Sequence, residues 1–478
     1  MTCPGVCVTG WPPSRGTVLR SIRIIQAGLD VQGRAEAVDR VAARDLSLAV
    51  DRSVPLVIAK VGRYPLHHGT VAAVRSLGRL GVPVYAVTEG PLVPTAVSRY
   101  LTGRIAWPTT GGEQAEELVA GLVRVGERVG RRSVLLVTDD RAAVLVAEHR
   151  QALTDLFAVP AIDGTLVGRL ADKQGLHELC REHGVPTPET RFARSAAELR
   201  HAVRALGLPV VVKSARVWGP AERAAVKYTT VLRTEADVEA LAAGLAAPDG
   251  GGVLVQEYIP HDPRVDGEPP DWFTHFYCDG QAEPRVMFTG VKLRSWPPAA
   301  GITARGVSVA HPRLAAAAAE LCRSIGYRGI GDLDWRFDQR DGLFKLVDFN
   351  PRVGAQFQLF RTTSGVDVVR ALHLDMTRRP IPPGRQVDAR EFVVEHLDAG
   401  AALAERLGGR SSARPTMRSG RRSGIVPAAC RRVPAWFAWD DPLPFAAATA
   451  QFATGAVRLG WRSLTRRLAE RVRGAAEH

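Results

Sequence analysis

The chain has 478 residues, of which 46% are hydrophobic and 23% charged, a composition that suits two or three globular domains and excludes a coiled coil or a disordered polymer. Only six of the 63 basic residues are Lys, so the other 57 are Arg, and each Lys is a candidate for a site that needs a compact ammonium. Nine of the 14 net positive charges lie from Gly400 onward, which excludes a basic nucleic-acid-binding core in the rest of the chain.

Cysteine use and hydropathy bear on the location of the protein. Its six Cys are spread without a CxxC pair, which indicates free thiols and a reducing compartment. No signal-peptide pattern opens the chain, and no uncharged run reaches the roughly 18 residues that span a bilayer. We therefore expect a cytoplasmic protein. Residues 1–52 have no clear period and are interpreted as an extension, with disorder as one option.

Residues 53–165 alternate between strand and helix patterns, which is typical of an α/β domain with a parallel sheet. Ligands of such sheets bind at the carboxyl ends of the strands. A small ligand is therefore expected near Gly62, His67-His68-Gly69 and Thr138-Asp139-Asp140, unless the two His merely line a loop. No GxGxxG follows the first strand, so a dinucleotide fingerprint is absent. The predicted elements are strand 54–59, helix 69–80, strand 82–87, helix 113–129 and strand 133–137.

From residue 166 to residue 383 the pattern changes to α+β, with strands in antiparallel pairs. The strongest signal is a hairpin of strands 330–337 and 344–349, whose turn is Asp338-Gln-Arg-Asp-Gly342. The other predicted elements are helices 172–183, 196–206, 235–246, 313–325 and 366–376 and strands 210–213, 228–232, 253–258, 273–278 and 284–290.

The hairpin carries a candidate metal site. Strand alternation places Asp348 and Asn350 on one face, and Asp334 on the paired strand can lie beside them. Two carboxylates and an amide oxygen form a hard-oxygen ligand set that suits Mg²⁺, and Arg352 can reach over the same face. The alternative is that carboxylates near a turn are only solvated. Lys345, on the same hairpin, is interpreted as an ordinary strand residue.

Two further Lys are placed for an anionic ligand. Lys213 ends a wholly apolar strand, and Lys173 begins a helix, where free amide groups and the helix dipole favour anions. Two ammonium groups in these positions suit a polyphosphate. Residues 214–226, which lead to Lys227, have no strand period and indicate a mobile flap over a ligand. The GxxxxGK[ST] spacing of a Walker loop is absent.

The order of these pieces resembles the ATP-grasp superfamily of carboxylate-amine ligases. The match spans residues 166–380 and rests on Lys173, Val211-Val212-Lys213, Gln256-Glu257-Tyr258-Ile259, Asp334 and Val347-Asp348-Phe349-Asn350-Pro351-Arg352. The resemblance implies a pre-ATP-grasp α/β domain over 53–165 and an ATP-grasp domain of two α+β lobes over 166–383. Ser98-Arg99-Tyr100 and Asp440-Asp441-Pro-Leu-Pro444 resemble flanking pieces of uncharacterised bacterial ligases of this group.

The resemblance also implies how the chain binds its cofactors, ATP and Mg²⁺, with Mn²⁺ as an alternative ion. It places the ATP phosphates at Lys173 and Lys213, with Lys227 at the end of the flap. Adenine is expected at the segment Gln256, Glu257, Tyr258 and Ile259, mainly through backbone groups of Glu257 and Ile259, and Asp271 is the candidate for ribose. The metal ligands implied are Asp334, Asp348 and Asn350.

The catalytic residues implied are Arg352, Lys292 and Arg294. Arg352 is expected to stabilise an acylphosphate, and Lys292 and Arg294 are expected to contact the transferring phosphate or the substrate carboxylate. The family chemistry joins a small-molecule carboxylate to an amine and releases ADP and phosphate. Two alternatives stay open: an enzyme of the carboxylase or carbamoyl type that activates bicarbonate, and a catalytically silent nucleotide-binding regulatory protein at the membrane surface.

Residues 384–478 form an Arg-rich C-terminal region. Val457, Trp461, Leu464, Leu468 and Val472 recur at helical spacing with Arg between them, which predicts a basic amphipathic helix. Such a helix docks on the protein body, stays solvated, or makes a peripheral contact with an anionic membrane. The sequence leaves the oligomeric state open, with a homodimer as one option.

Overall fold

The fold is described by a computed structural model over residues 49–215, 226, 229–245, 252–262, 267–296, 302–406 and 424–454. Almost all of the extension 1–52 lies outside these described residues. Lys227, most of the flap 214–226 and the tail helix expected over 457–472 lie outside them as well.

The N-terminal domain is built on a parallel sheet of five strands in the order β3-β2-β1-β4-β5. The alternating sequence pattern predicts this parallel arrangement, and the structure confirms it. The strands are β1 (Leu56–Ala59), β2 (Val84–Thr88), β3 (Gly103–Ala106), β4 (Ser133–Val137) and β5 (Phe157–Ala158). The helices are α1 (His68–Gly78), α2 (Ala115–Val129), α3 (Asp140–Glu148) and α4 (Arg150–Leu153).

Four of these helices and strands were not predicted: β3, α3 and the short elements α4 and β5. Strand β3 is an edge strand with one buried residue among four, so it has no apolar run to mark it. Helix α3 begins where a strand edge was expected, because the Asp139 side chain accepts a hydrogen bond from the Ala142 N–H and caps the helix. The cap turns the chain so that Asp140 lies in the first turn of α3.

Two helices, α5 (Gly164–Ala171) and α6 (Lys173–Glu182), lead to a small lobe with a four-stranded antiparallel sheet. The sheet has the order β6-β9-β7-β8, and its two helices pack on one apolar cluster that includes Leu199, Val203 and Val238. The elements of the small lobe are β6 (Thr190–Ala193), α7 (Ala196–Leu206), β7 (Val210–Ser214), β8 (Thr230–Leu232), α8 (Glu235–Leu245) and β9 (Val253–Glu257).

The large lobe is a sheet of seven strands in the order β14-β13-β10-β11-β12-β15-β16. All neighbours are antiparallel except β15 and β16. Its strands are β10 (Asp271–Cys278), β11 (Pro284–Trp296), β12 (Ile302–Ser308), β13 (Gly329–Asp338), β14 (Leu343–Asn350), β15 (Arg390–Val393) and β16 (Arg431–Pro434). Its helices are α9 (Pro312–Ser324), α10 (Val368–Met376) and α11 (Glu395–Arg406).

The two faces of the large sheet have different partners. On one face Trp272, Leu333 and neighbouring apolar residues form a core with α6 and α9. On the other face Phe273 and Phe288 share a single core with α1, α10 and the parallel sheet. The N-terminal domain and the large lobe are therefore packed together over a continuous apolar interface.

The segment after β16 returns to the N-terminal domain. Asp441 is buried, and its carboxylate accepts hydrogen bonds from Arg75 Nε at 2.9 Å, Ser98 Oγ at 2.7 Å and the Arg99 N–H at 2.9 Å. The adjacent Asp440 accepts two hydrogen bonds from Arg79, each of 2.8 Å. The two segments that resemble flanking pieces of the same ligase group are thus in direct contact. Within the described ranges, no helix is both long and apolar enough to cross a bilayer.

Candidate active site

The hairpin of β13 and β14 brings four oxygen-bearing side chains together. Asp334 lies directly opposite Asp348, and Asp332 lies opposite Asn350. In an antiparallel pair, opposite residues point to the same face. The pairing of Asp334 with Asp348 that the sequence suggests is therefore present, and Asp332 joins these residues on the same face.

Three Lys from three different elements converge on this face. Lys173, the first residue of α6, forms an ion pair with Asp348. Lys292 of β11 lies 2.7 Å from Asp334, measured from Nζ to Oδ1. Lys213, near the end of β7, donates a hydrogen bond of 3.0 Å to the carbonyl of Val347. The small lobe and the large lobe thus both direct ammonium groups at the hairpin.

Burial and charge shift the proton affinities of these groups in different directions. Burial lowers the pKa of Lys213 to about 8, although the negative charge of Asp348 acts in the opposite direction. Burial alone would raise the pKa of Asp348, but Lys173 and Lys213 overcome it and lower that pKa to about 2. Burial also opposes the charge of Lys173, yet Asp348 raises the pKa of Lys173 above its ordinary value. The site therefore holds a dense set of opposite charges at neutral pH.

Asp332 and His275 belong to the site although the sequence patterns did not single them out. Both are buried, and His275 Nε2 lies 3.3 Å from Asp332 Oδ1. Burial lowers the pKa of His275 to about 3, so the ring is neutral at pH 7. Burial and the charge of Asp334 raise the pKa of Asp332. The available sequence signal was the spacing of Asp332 and Asp334, which alternation places on one face.

Arg352 connects the hairpin to the N-terminal domain. Its guanidinium donates a hydrogen bond of 2.9 Å to Asn350 Oδ1, lies 3.6 Å from Asp332 Oδ2, and lies 3.2 Å from Oδ1 of Asp140 in α3. Burial opposes its charge, but Asp140 and Asp332 raise the pKa of Arg352. Arg352 therefore remains a cation at the junction of the two domains.

The loops at the carboxyl ends of β1 and β4 face this junction. Asp139 Oδ2 accepts hydrogen bonds from the Val61 N–H at 2.8 Å and the Gly62 N–H at 3.3 Å, which ties the two loops together. His68 Nδ1 lies 3.0 Å from the carbonyl oxygen of Ala355, three residues after Arg352. His67 caps α1 through Thr70, so both His have structural partners in the fold.

The residues expected to hold adenine and ribose lie at the end of β9 and the start of β10. The Gln256 side chain is buried and donates to Thr190 Oγ1 at 3.1 Å. Glu257 forms ion pairs with Arg340 and Lys345, and Tyr258 lies under the guanidinium of Arg233. Ile259 is buried, and its carbonyl accepts a hydrogen bond of 3.1 Å from Arg336. Arg336 also pairs with Asp271 at 2.6 Å.

Lys292 and Arg294 contact different acids: Lys292 pairs with Asp334, and Arg294 forms an ion pair with Asp398 of α11. Their contact with the transferring phosphate or the substrate carboxylate stays a prediction. The register between β11 and β12 shifts on both sides of Arg294. Because of this irregularity, the Arg294 side chain does not follow the regular alternation of strand side chains that includes Lys292. Lys345 is not an ordinary strand residue, because it joins three carboxylates.

The donor set of the hairpin fits a divalent cation. Asp332 Oδ1 is buried and accepts no hydrogen bond from the residues that the structure describes, and Asp334 Oδ1 is buried beside the Lys292 ammonium 2.7 Å away. Carboxylate and amide oxygens are hard ligands. Among the residues that the structure describes, no group of three His, Cys, Asp or Glu side chains converges to hold a metal. Such a face suits Mg²⁺, which takes few protein oxygens and completes its octahedron with water and phosphate oxygens.

Comparisons with known proteins agree with this architecture. Residues 298–374 match the family model described as the carbamoyl-phosphate synthase L chain, ATP binding domain. The chain is 25% identical over 303 residues to D-aspartate ligase of Enterococcus faecium (strain Aus0004), an alignment that covers 60% of this chain and 68% of that protein.

Two solved structures are similar in fold. The ADP complex of N5-carboxyaminoimidazole ribonucleotide synthetase superposes with a TM-score of 0.54 at 13% identity, covering 76% of this chain and 88% of that one. L-amino acid ligase from Bacillus licheniformis superposes with a TM-score of 0.50 at 15% identity, covering 68% of this chain and 75% of that one. Together with the five motif pieces and the two-lobed site, these comparisons show that the chain has an ATP-grasp fold and is similar to ATP-dependent carboxylate-amine ligases.

Proposed function

We propose that the protein is an ATP- and Mg²⁺-dependent ligase that joins a small-molecule carboxylate to an amine through an acylphosphate and releases ADP and phosphate. The observation that carries this proposal is the convergence of Lys173, Lys213 and Lys292 on the hairpin that bears Asp334 and Asp348. Phosphoryl transfer depends mainly on positioning and on neutralising charge, and this cluster offers both.

Lys173 and Lys213 bind the ATP phosphates in this proposal. Both ammonium groups lie beside Asp348 and Val347 of β14, so phosphates bound there lie against the hairpin. Asp334, Asp348 and Asn350 hold Mg²⁺, which when bound neutralises charge on the phosphate oxygens. Glu257 and Ile259 contact adenine through backbone groups. The Glu257 N–H already donates to the Glu189 carbonyl at 2.8 Å, so the Glu257 carbonyl and the Ile259 N–H are the groups assigned to adenine.

Arg352 and Lys292 act on the reacting atoms. A carboxylate oxygen of the substrate attacks the γ-phosphorus, the bond to the ADP oxygen breaks, and an acylphosphate forms. The amine nitrogen then attacks the acyl carbon, phosphate leaves with the bonding electron pair, and the nitrogen loses a proton to yield the amide. Arg352 stabilises negative charge on the acyl oxygens, and Lys292 stabilises the transferring phosphate. Two further residues are part of the proposed ATP site: Asp271 contacts the ribose, and Lys227 contacts ATP from the end of the segment 214–226.

The test is ADP release measured over a panel of amino acids, small carboxylates and bicarbonate, with and without amine acceptors. Wild type is compared with Asp348→Ala and with Glu320→Ala, a control on α9 whose side chain is 77% exposed. We expect ADP release that requires both a carboxylate and an amine, is lost in Asp348→Ala and is unchanged in Glu320→Ala.

Three outcomes contradict parts of the proposal. Full activity in Asp348→Ala removes the metal assignment. ADP release that depends on bicarbonate alone identifies the carboxylase type instead. Binding of MgADP without turnover on any member of the panel favours a regulatory nucleotide-binding protein.

A further inference from the structure

The hairpin that carries the proposed metal ligands is tied to both crossing segments of the small lobe. The first crossing segment, residues 186–189, leads the chain into the small lobe. Its Pro186 carbonyl accepts a hydrogen bond of 2.8 Å from the Leu346 N–H of β14. Its Thr187 Oγ1 donates a hydrogen bond of 3.0 Å to the Leu346 carbonyl. The second crossing segment, residues 257–259, accepts a hydrogen bond at Ile259 from Arg336 of β13. Both ends of the small lobe thus contact the same hairpin.

A cluster of four charged side chains, the hinge network, reinforces this junction. It consists of Glu257 at the end of β9 and Asp338, Arg340 and Lys345 on the hairpin. Arg340 lies 2.7 Å and Lys345 3.1 Å from the two carboxylate oxygens of Glu257. Lys345 also lies 2.7 Å from Asp338, whose side chain is fully buried.

The hinge network is partly buried. Two carboxylates face two cations, and Asp341 places a third carboxylate 3.3 Å from Lys345. The side chains of Lys345 and Glu257 are 12% and 20% exposed, whereas Arg340 is 48% exposed. Partly buried charges in hydrogen-bond contact interact more strongly than surface pairs and are screened less by salt. Glu257 Oε1 additionally accepts a hydrogen bond of 3.1 Å from the Glu189 N–H. One carboxylate therefore joins both crossing segments to the hairpin.

We propose that Glu257 and Lys345 are positioning residues for the nucleotide: the hinge network fixes the distance between the strand that holds adenine and the hairpin face that holds the phosphates and the metal. This inference rests on the proposed function. Lys345 lies three residues before Asp348 on β14, and Glu257 is one of the two residues whose backbone is assigned to adenine. A nucleotide that spans both places needs the angle between the lobes to be set before it binds.

The role assigned to the hinge network differs from a general contribution to stability. A loosened junction reduces nucleotide affinity and misplaces the γ-phosphate, so the KM for ATP rises and kcat falls. The carboxylate substrate is assigned to Arg352, which lies at the end of the hairpin away from the turn. The KM for the carboxylate substrate is therefore expected to stay unchanged. A purely structural contribution lowers the melting temperature without this selectivity.

The experiment measures the Kd of MgADP by isothermal titration for the full-length wild type, Glu257→Gln and Lys345→Met. We expect the Kd to rise about tenfold in each variant, since a lost charge-assisted hydrogen bond changes affinity by roughly that factor. Lys345→Arg, which keeps a cation, is expected to restore binding to within about threefold. The matched control is Arg323→Gln, because Arg323 and Arg340 are both 48% exposed and both pair with a Glu at 2.7 Å, but Arg323 lies on α9.

The possible results separate this inference from the proposed function. A wild-type protein that does not bind MgADP overturns both. Wild-type binding with an unchanged Kd in Glu257→Gln overturns the inference alone, as does an equal loss in Arg323→Gln. Removing Lys345 leaves the buried Asp338 carboxylate with fewer partners, so Lys345→Met can fail to fold. In that case Glu257→Gln and Arg340→Gln test the positioning role, because both change side chains that are more exposed than Lys345.

Discussion

Arg352 and Asp140 form an ion pair between two domains, with 3.2 Å between Nε and Oδ1. Asp140 is placed by the helix cap at Asp139, and Arg352 lies two residues after the end of β14. The pair lies where the loops of the parallel sheet meet the charged face of the hairpin. The N-terminal domain is thereby in direct contact with the hairpin to which the phosphoryl chemistry is assigned.

The Asp140–Arg352 pair leads to the first prediction. Asp140→Asn is expected to lower kcat/KM for the carboxylate about tenfold, or about 1.4 kcal/mol, because Arg352 loses the charge that orients it. The KM for ATP is expected to stay constant. Steady-state kinetics with each substrate varied in turn provide the measurement, with Asp155→Asn, an exposed position in the same domain, as control. An increase in kcat/KM would show that Asp140 competes with the substrate for Arg352.

The lowered pKa of Lys213, about 8, predicts a pH dependence of nucleotide binding. Only the protonated ammonium attracts phosphate, so affinity is constant well below pH 8 and falls as pH rises through that value. At pH 9 the Kd of MgADP is expected to be about tenfold higher than at pH 7, as one titrating group requires. Calorimetric titration from pH 6.5 to 9.5 measures this, and Lys213→Arg is expected to flatten the profile. A flat wild-type profile would contradict the assignment of Lys213 to phosphate.

The two acids of the C-terminal segment are predicted to contribute very different stabilities. Asp441 and Arg75 are 1% and 4% exposed, whereas Asp440 and Arg79 are 43% and 39% exposed. Asp441→Asn leaves a buried guanidinium uncompensated and is expected to reduce the free energy of unfolding by about 3 kcal/mol. Asp440→Asn removes an exposed pair and is expected to cost less than about 1 kcal/mol. Urea unfolding of both variants is the measurement, and equal losses would refute the distinction.

Gly354 is predicted to be intolerant of a side chain. A Cβ at this position would lie 2.2 Å from His275 Cε1 and 2.5 Å from Asp332 Oδ2, both in buried side chains. Gly354→Ala is expected to lower the free energy of unfolding by about 1–3 kcal/mol, since a packed site must shift to accept it. Gly168→Ala, on α5 with nothing within 4 Å, is expected to be neutral or to stabilise by up to about 1 kcal/mol. Thermal unfolding compares them, and a neutral Gly354→Ala would contradict the close packing.

Local sequence patterns predicted the parts of this protein that depend on local chemistry. The pairing of Asp334 with Asp348 follows from a short turn that ends in Gly342 and from strand alternation, and both are encoded within about twenty residues. The parallel sheet follows from alternating strands and helices. In each case the interaction that fixes the geometry is close in sequence.

Residues that depend on distant contacts were missed or misassigned. His275 was missed because it reaches Asp332 only through the register of β10 against β13. Asp140 was named at the edge of the sheet, but its pairing with Arg352 was missed because it forms only when two domains pack. Lys345 was read as ordinary because its partner Glu257 lies 88 residues away. Burial and long-range register determine these roles, and neither is visible in a single sequence.

The contact between Arg75 and Asp441 also constrains the order in which the molecule can be completed. The two residues are 366 positions apart, and a ribosome that adds 5–20 residues per second needs roughly 20–70 s to make the chain between them. During that interval the Asp441 carboxylate that pairs with the buried guanidinium of Arg75 has not yet been made. The N-terminal domain can therefore acquire this buried ion pair only after one of the last described segments has been synthesised.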